Sequence, residues 1–197
     1  YKCTLYLKKL LIYFKTMLIQ PYTAEWVKDF EKLKLEIKNG LSGLEYNIEH
    51  VGSTSIPHLG AKPIIDIDII YNNNSEFEKI KSGLIQIGYY HNGNQGIIDR
   101  EVFKRNGMIN NKILDSITHH LYVCPENSEA LERHLLMRDY LRKNEWARLD
   151  YQAKKYEIAE KANQNKKLYA ELKELHVNEF IDSIVEVEKQ KNVAKLK

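Results

Sequence analysis

Residues 48–71 decide the reading of this chain: Ile48-Glu49-His50-Val51-Gly52-Ser53-Thr54-Ser55-Ile56-Pro57-His58-Leu59-Gly60-Ala61-Lys62-Pro63-Ile64-Ile65-Asp66-Ile67-Asp68-Ile69-Ile70-Tyr71. The segment from Leu44 to Val51 alternates Leu44, Tyr46 and Ile48 with more polar neighbours, which predicts a strand. Gly52, Pro57, Gly60 and Pro63 punctuate a loop, and a second strand is expected over Ile64–Tyr71. Asp66 and Asp68, one residue apart on a strand, project from the same face. Two carboxylates so placed repel each other unless a cation neutralises them, and hard oxygen ligands suit magnesium or manganese. Separated from Asp66 by twelve residues, the Gly52-Ser53 turn can bring backbone N–H groups and a hydroxyl close to a phosphate, because glycine lacks the Cβ that would block approach. The competing reading makes Asp66 and Asp68 the wet face of a half-exposed strand. Ile64, Ile65, Ile67, Ile69 and Ile70 argue instead for a central strand covered on both sides, where paired aspartates are costly unless ligated.

Upstream of this stretch, Thr23 is expected to cap a helix over 24–38 whose stripe is Trp26, Phe30, Leu33 and Ile37, with Asn39-Gly40 ending it. Downstream, Ser75 is expected to cap a helix over 76–87 carrying Phe77, Ile80, Leu84 and Ile87. Residues 88–96 read as turns. Strands are expected over 97–104 and 112–123, with Asn106-Gly107 as the hairpin signal between them. Beyond Pro125 the pattern is helical throughout, over 129–143, 145–161 and 166–189, with Val177, Ile181 and Ile184 beside Phe180 expected to dock on the core. The charged stretch 154–173 reads as the wet face of helices. The order predicts an α+β fold: a mixed β-sheet core with flanking helices over 17–125, then a helical half over 126–190, in one domain spanning 17–197.

The 197 residues carry 30 basic and 27 acidic side chains, a net charge of +3, too balanced for a chain that binds nucleic acid or membrane by bulk charge. With 43% hydrophobic and 29% charged residues the chain can bury a core, which excludes disorder. Two cysteines, Cys3 and Cys124, build no disulfide framework, so the expected location is the cytoplasm. Residues 1–16 lack a 20-residue apolar run and a small-residue cleavage site, and are expected to be an N-terminal extension outside the domain.

The run 48–57, together with Ala61-Lys62-Pro63-Ile64-Ile65-Asp66-Ile67, resembles the signature of the GrpB family (UPF0157), which is placed in the nucleotidyltransferase superfamily. The resemblance extends to residues 22–26, to Thr118-His119-His120-Leu121 and to His134-Leu135-Leu136-Met137-Arg138-Asp139-Tyr140-Leu141-Arg142, so it covers roughly residues 17–185. It implies a nucleotidyltransferase-like fold, with Gly52 and Ser53 facing phosphate and Asp66 and Asp68 as catalytic metal ligands for Mg2+ or Mn2+. Superfamily enzymes usually take a third carboxylate from a later strand. Here that strand carries Thr118, His120 and Tyr122 on one side and no acid on either, so His120 is the candidate for the vacant role. The chain departs from the family pattern at Tyr122, where a second histidine is typical, and at His58, where glycine is common.

Further side chains are weighed for the same site. Lys62 can reach a phosphate as a point charge or stand exposed. His134 and Arg138, one helical turn apart, border an apolar face, and Arg138 serves equally as a phosphate clamp or as one half of an internal salt bridge. His119 reads as a packed histidine, and His50, beside the Gly-Ser turn, reads evenly as structural or ligand-touching. Arg100 and Lys104 form a weaker basic pair. The expected function is metal-dependent transfer of a nucleotidyl group from a nucleoside triphosphate to an unknown acceptor. One alternative is a non-catalytic module that binds a nucleotide or a CoA-like ligand; another is an interaction protein working through its helical half.

Overall fold

The computed structural model describes residues 17–195; the expected extension, 1–16, lies outside the described residues. Helix α1 (Glu25–Gly40) forms on the predicted stripe, and Trp26, Phe30, Leu33 and Ile37 are all buried. Ala24 rather than Thr23 is the N-cap residue, although Thr23 Oγ1 accepts the Glu25 N–H at 3.3 Å. The helix ends without the left-handed turn expected at Asn39-Gly40. Gly40 is needed for close packing instead, since a Cβ there would stand 2.7 Å from Ile87 Cγ2.

Next come β1 (Asn47–Val51), a short 3₁₀ turn at Ser53–Ser55, and β2 (Ile65–Tyr71). Helix α2 (Asn74–Gln86) is capped by Asn73, whose side chain accepts the Ser75 N–H, and not by Ser75. The region read as turns contains β3 (Tyr89–His91), which pairs antiparallel with β4 (Glu101–Arg105). The hairpin therefore bends through 92–100, and Asn106-Gly107 leads into α3 (Lys112–Ser116) rather than directly into a partner strand. What reads as one strand over 112–123 is split: Asn111 accepts the N–H groups of Ile113 and Leu114 and starts α3, leaving β5 (His119–Pro125) for the sheet. An asparagine cap satisfies helical N–H groups that an extended chain would have to pair across a ladder.

The five strands run in the order β1-β2-β5-β4-β3, mixed because β2 and β5 are parallel while the other pairs are antiparallel. Register puts Asp66 between Val51 and His120, and Asp68 between Glu49 and Tyr122. Period-2 alternation then divides β2 cleanly. Ile65, Ile67, Ile69 and Tyr71 join the core formed with α1 and α2. Asp66 and Asp68 point to the opposite face, towards the helical half.

That half consists of α4 (Glu129–Lys143), α5 (Glu145–Lys161) and α6 (Lys166–Lys195). It has its own core, where Tyr151, Ile158, Tyr169, Ile181 and Ile184 meet Ile19, Ile56 and Leu59 from the first half. The side chain of Val177 lies outside the described residues; Ile181 and Ile184 dock as expected. At the end of the 3₁₀ turn, Arg142 from α4 donates to the Ser55 carbonyl at 2.8 Å, which ties that segment to the helices. The site therefore sits on the free face of an otherwise covered sheet, roofed by helices.

Candidate functional site

Asp66 and Asp68 are each met by an imidazole. His120 donates from Nδ1 to Asp66 Oδ1 at 2.9 Å, and His134 from α4 donates from Nδ1 to Asp68 Oδ2 at 2.8 Å. The two pairs differ in burial: His120 is half exposed, whereas the Asp68 side chain is 0% exposed. Asp68 Oδ1 is buried and has no hydrogen-bond partner among the described residues. Leaving such an oxygen unsatisfied costs about 1–3 kcal/mol, which a buried water, an N–H donor or a cation would recover.

The turn at Gly52 is shaped by Asp66. Gly52 adopts φ 69°, and a Cβ there would overlap the Asp66 carboxylate, its Cγ lying 2.8 Å away. Glycine is thus required twice over, for the left-handed backbone and for the close approach. His50 lies beneath the turn, stacked on Phe30 at 4.6 Å and within 3.1 Å of Thr54 Oγ1. Thr54 itself donates to the Ile64 carbonyl, so the histidine Nε2–H donates to the hydroxyl. Burial pushes the His50 pKa down to about 4, with the nearby Arg142 and Arg138 reinforcing that direction against Asp66. His50 is a packed neutral imidazole that orders the loop.

These groups open onto a cleft of about 850 Å³, lined on the sheet side by Gly52, Ser53, Asp66, His120 and Tyr122. The helical side brings three lysines. Lys62 lies 5.2 Å over the Tyr169 ring. Lys155, 2% exposed, donates to the Gly60 carbonyl and stands 4.7 Å over the Tyr151 ring. Lys173 faces Tyr151, which raises its pKa. Burial lowers the Lys155 pKa well below its ordinary value, and Lys173 adds repulsion. Burial also lowers Lys62, again with Lys173 repelling and Asp66 attracting. None of the three forms an ion pair with a carboxylate among the described residues. Burial and mutual repulsion disfavour the charged forms of Lys62 and Lys155, and an anion joining the cluster would favour them again.

Of the candidates read from sequence, Gly52, Ser53, Lys62, Asp66, His120 and His134 line the cleft. Asp68 sits behind His134. Arg138 does not reach the cleft. Its guanidinium is held by Glu49 at 2.6 Å, Asp139 at 2.8 Å and the His50 carbonyl at 3.1 Å, so it fastens α4 to β1. His119 is packed as read, its Nε2 accepting from the Tyr89 hydroxyl at 2.6 Å. Tyr169 and Lys173 carry only a weaker echo of the family resemblance and Lys155 none, and none of the three was assigned to the site, because on a charged amphipathic helix nothing local marks a lysine that turns inward. Arg100, read as a weak candidate, lies in the cleft wall.

The donor set can be tested against a divalent ion. Among the described residues no group of three or more His, Cys, Asp or Glu is arranged to enclose a metal. Two aligned carboxylates, one with an orphaned buried oxygen, nevertheless suit Mg2+, which is commonly held by one or two carboxylates with phosphate oxygens and water completing the shell.

Three kinds of known protein resemble the chain. A family model described as GrpB protein matches residues 16–192. The chain is 33% identical to UPF0157 protein YqkA of Bacillus subtilis over 70% of its length, but spans only 38% of that relative. It is 28% identical to glutamate-rich protein GrpB of Alkalihalophilus pseudofirmus, covering 85% of this chain and 95% of the relative. Among solved structures, conserved protein GrpB from Enterococcus faecalis superposes with TM-score 0.71 at 28% identity, covering 88% of this chain and 98% of that one. A Cid1 poly(U) polymerase structure, solved with MgATP bound, superposes with TM-score 0.50 at 15% identity over 75% of this chain and 46% of that one; at that identity the likeness is one of fold.

Proposed function

The chain belongs to the GrpB family, and from that premise we propose that it is a metal-dependent nucleotidyltransferase, moving a nucleotidyl group from a nucleoside triphosphate to an acceptor hydroxyl or amine. The observation that carries this reading is the opposition across one cleft of Asp66, with Asp68 behind it on the same strand face, and three lysines without carboxylate partners among the described residues. Residues of the first kind repel phosphate and residues of the second attract it. The two make sense together when a ligand brings both a cation and a chain of phosphates. The shared fold with a polymerase solved with MgATP supports the same assignment.

In this reading Asp66 and Asp68 hold Mg2+ or Mn2+. The ion, when bound, supplies charge neutralisation at the attacked phosphorus. The Gly52-Ser53 turn offers N–H groups and a hydroxyl to phosphate oxygens, and Lys62, Lys155 and Lys173 hold the terminal phosphates. The acceptor's oxygen or nitrogen bonds to the α-phosphorus while the bond to the bridging oxygen breaks, the electron pair leaving with pyrophosphate. His120, held by Asp66 through Nδ1, keeps Nε2 for the proton that the acceptor gives up. His134 keeps Asp68 oriented, and Arg138 sets the position of α4 against the strand. Most of the rate gain would come from positioning and electrostatics.

Calorimetric titration of a nucleoside triphosphate panel with and without Mg2+, on the wild type and on Asp66→Ala/Asp68→Ala, tests the proposal. Metal-dependent binding that the double substitution abolishes is the expected result. Binding indifferent to both metal and aspartates would replace it with the metal-free ligand-binding module.

A further inference from the structure

The cleft wall carries a further cationic group, Arg100, which enters from the β4 side of the sheet. Arg100 holds its guanidinium carbon 4.8 Å above the Tyr122 ring centroid. Its Nε is buried and without a hydrogen-bond partner among the described residues. The residue before it, Asp99, adopts φ 55°, a left-handed conformation at the end of the β3–β4 loop that fixes where Arg100 enters.

Strand order gives this position its meaning. The Gly52-Ser53 turn leaves β1, on one side of β2, whereas Arg100 precedes β4, which lies beyond β5 on the other side. Tyr122 pairs with Asp68 in the β2–β5 ladder, and its ring lies 6.2 Å from His120 and 5.9 Å from His134. Arg100 is therefore within about 11 Å of both imidazoles that hold the aspartates. In an in-line displacement the nucleophile enters opposite the leaving pyrophosphate. Where the Gly-Ser turn holds the leaving phosphates, a donor on the β4 side of the aspartates faces the incoming acceptor.

We propose that Arg100, braced on Tyr122, is the anion contact of the acceptor subsite, and that the acceptor is a small molecule carrying one phosphate or carboxylate group a few bonds from its reacting hydroxyl or amine. This rests on the nucleotidyl-transfer reading of the cleft. Its surroundings favour a small acceptor over a nucleic-acid end. Asp99 and Glu129 line the same cleft, and Arg133 there is ion-paired with Asp182, so among these described residues acidic groups offset the basic ones that a phosphate backbone would need.

The test is calorimetric titration of the full chain, with and without an unhydrolysable MgATP analogue, using glycerol 3-phosphate, 3-hydroxypropionate, glycerol and a short oligouridylate with a 5′ hydroxyl. The expected result is that one of the two small anions binds at millimolar concentration or better. Glycerol would then fail to bind, and Arg100→Gln would weaken that anion at least about tenfold while leaving the analogue's affinity unchanged. Which anion responds separates phosphate from carboxylate recognition. Arg100→Lys should fall between the two, because it keeps the charge and loses the planar fork. Matching melting curves, with Tyr122→Leu as a second variant that removes the platform, keep a folding defect from imitating the result. Affinity for both anions that is indifferent to Arg100→Gln, or absence of binding by both, overturns the proposal. So does oligouridylate binding that depends on Arg100 and exceeds that of the small anions. If the analogue fails to bind while the anion still depends on Arg100, the transfer reading fails and the anion site stands.

Discussion

The two walls of the cleft were built in different ways. The sheet side comes from a short piece of chain: Gly52, Ser53, Asp66 and Asp68 lie within 17 positions, on β2 and the turn that leaves β1. The helical wall gathers Lys62, Lys155, Tyr169 and Lys173 from a loop and two helices. The first wall is acidic and backed by hydrogen-bonded imidazoles. The second is basic and backed by aromatic rings, with Lys155 almost wholly buried. Function that depends on both needs the two halves of the fold docked. The Arg138 and Arg142 contacts from α4 to His50 and Ser55 are the fasteners.

The largest expected effect separates the walls directly. Lys62→Gln/Lys173→Gln removes two charge-assisted contacts, together about 3–6 kcal/mol, and should weaken triphosphate affinity a hundredfold or more. Mn2+ binding measured by electron paramagnetic resonance without nucleotide should be unchanged, whereas Asp66→Ala/Asp68→Ala should lose both. If the lysine variant lost metal as well, the walls would not be independent.

Acid should act mainly from beneath the sheet wall. The His50 pKa is depressed in the folded state, so the unfolded chain binds the proton first. Stability from this group is complete above about pH 6.5 and drains away towards pH 4, by up to about 3 kcal/mol. His50→Gln keeps a donor to Thr54 and does not titrate. Its urea midpoint should fall less than the wild type's between pH 7 and 4.5, and parallel curves would contradict the assignment.

Gly52→Ala should cost about 1–3 kcal/mol through the left-handed backbone alone, and it drives a methyl into Asp66. Thermal melting reports the first effect, and loss of metal-dependent nucleotide binding reports the second. The smallest effect is expected at His58, which adopts φ 65° where the family commonly has glycine. His58→Gly relieves about 1 kcal/mol of backbone strain but frees a more flexible unfolded chain, so the melting midpoint should barely move. A large loss would mean that the tilted contact with Tyr22 at 5.8 Å matters more than the backbone.

The fold was legible where its signal is local. The α1 stripe, the alternation of β2 and the three late helices each depend on side-chain spacing along a few turns or pleats, and they stand close to where the spacing predicts. Alternation misled where competing local signals were close together. Asn111 started a helix inside an apparent strand, and the turn signal at Asn106-Gly107 drew attention from the hairpin that uses 92–100.

By itself, the sequence determined that two aspartates share a strand face after a Gly-Ser turn, because a pleat has period two and the turn residues are adjacent in the chain. Only tertiary structure decided what meets them. His134 finds Asp68 across 66 positions, and Lys155 reaches the Gly60 carbonyl across 95, through packing of helices whose inward face holds Tyr151, Ile158 and Tyr169. Local periodicity says which face of a helix is apolar; it says nothing about which basic group at that face's edge will be carried inward when the face is buried.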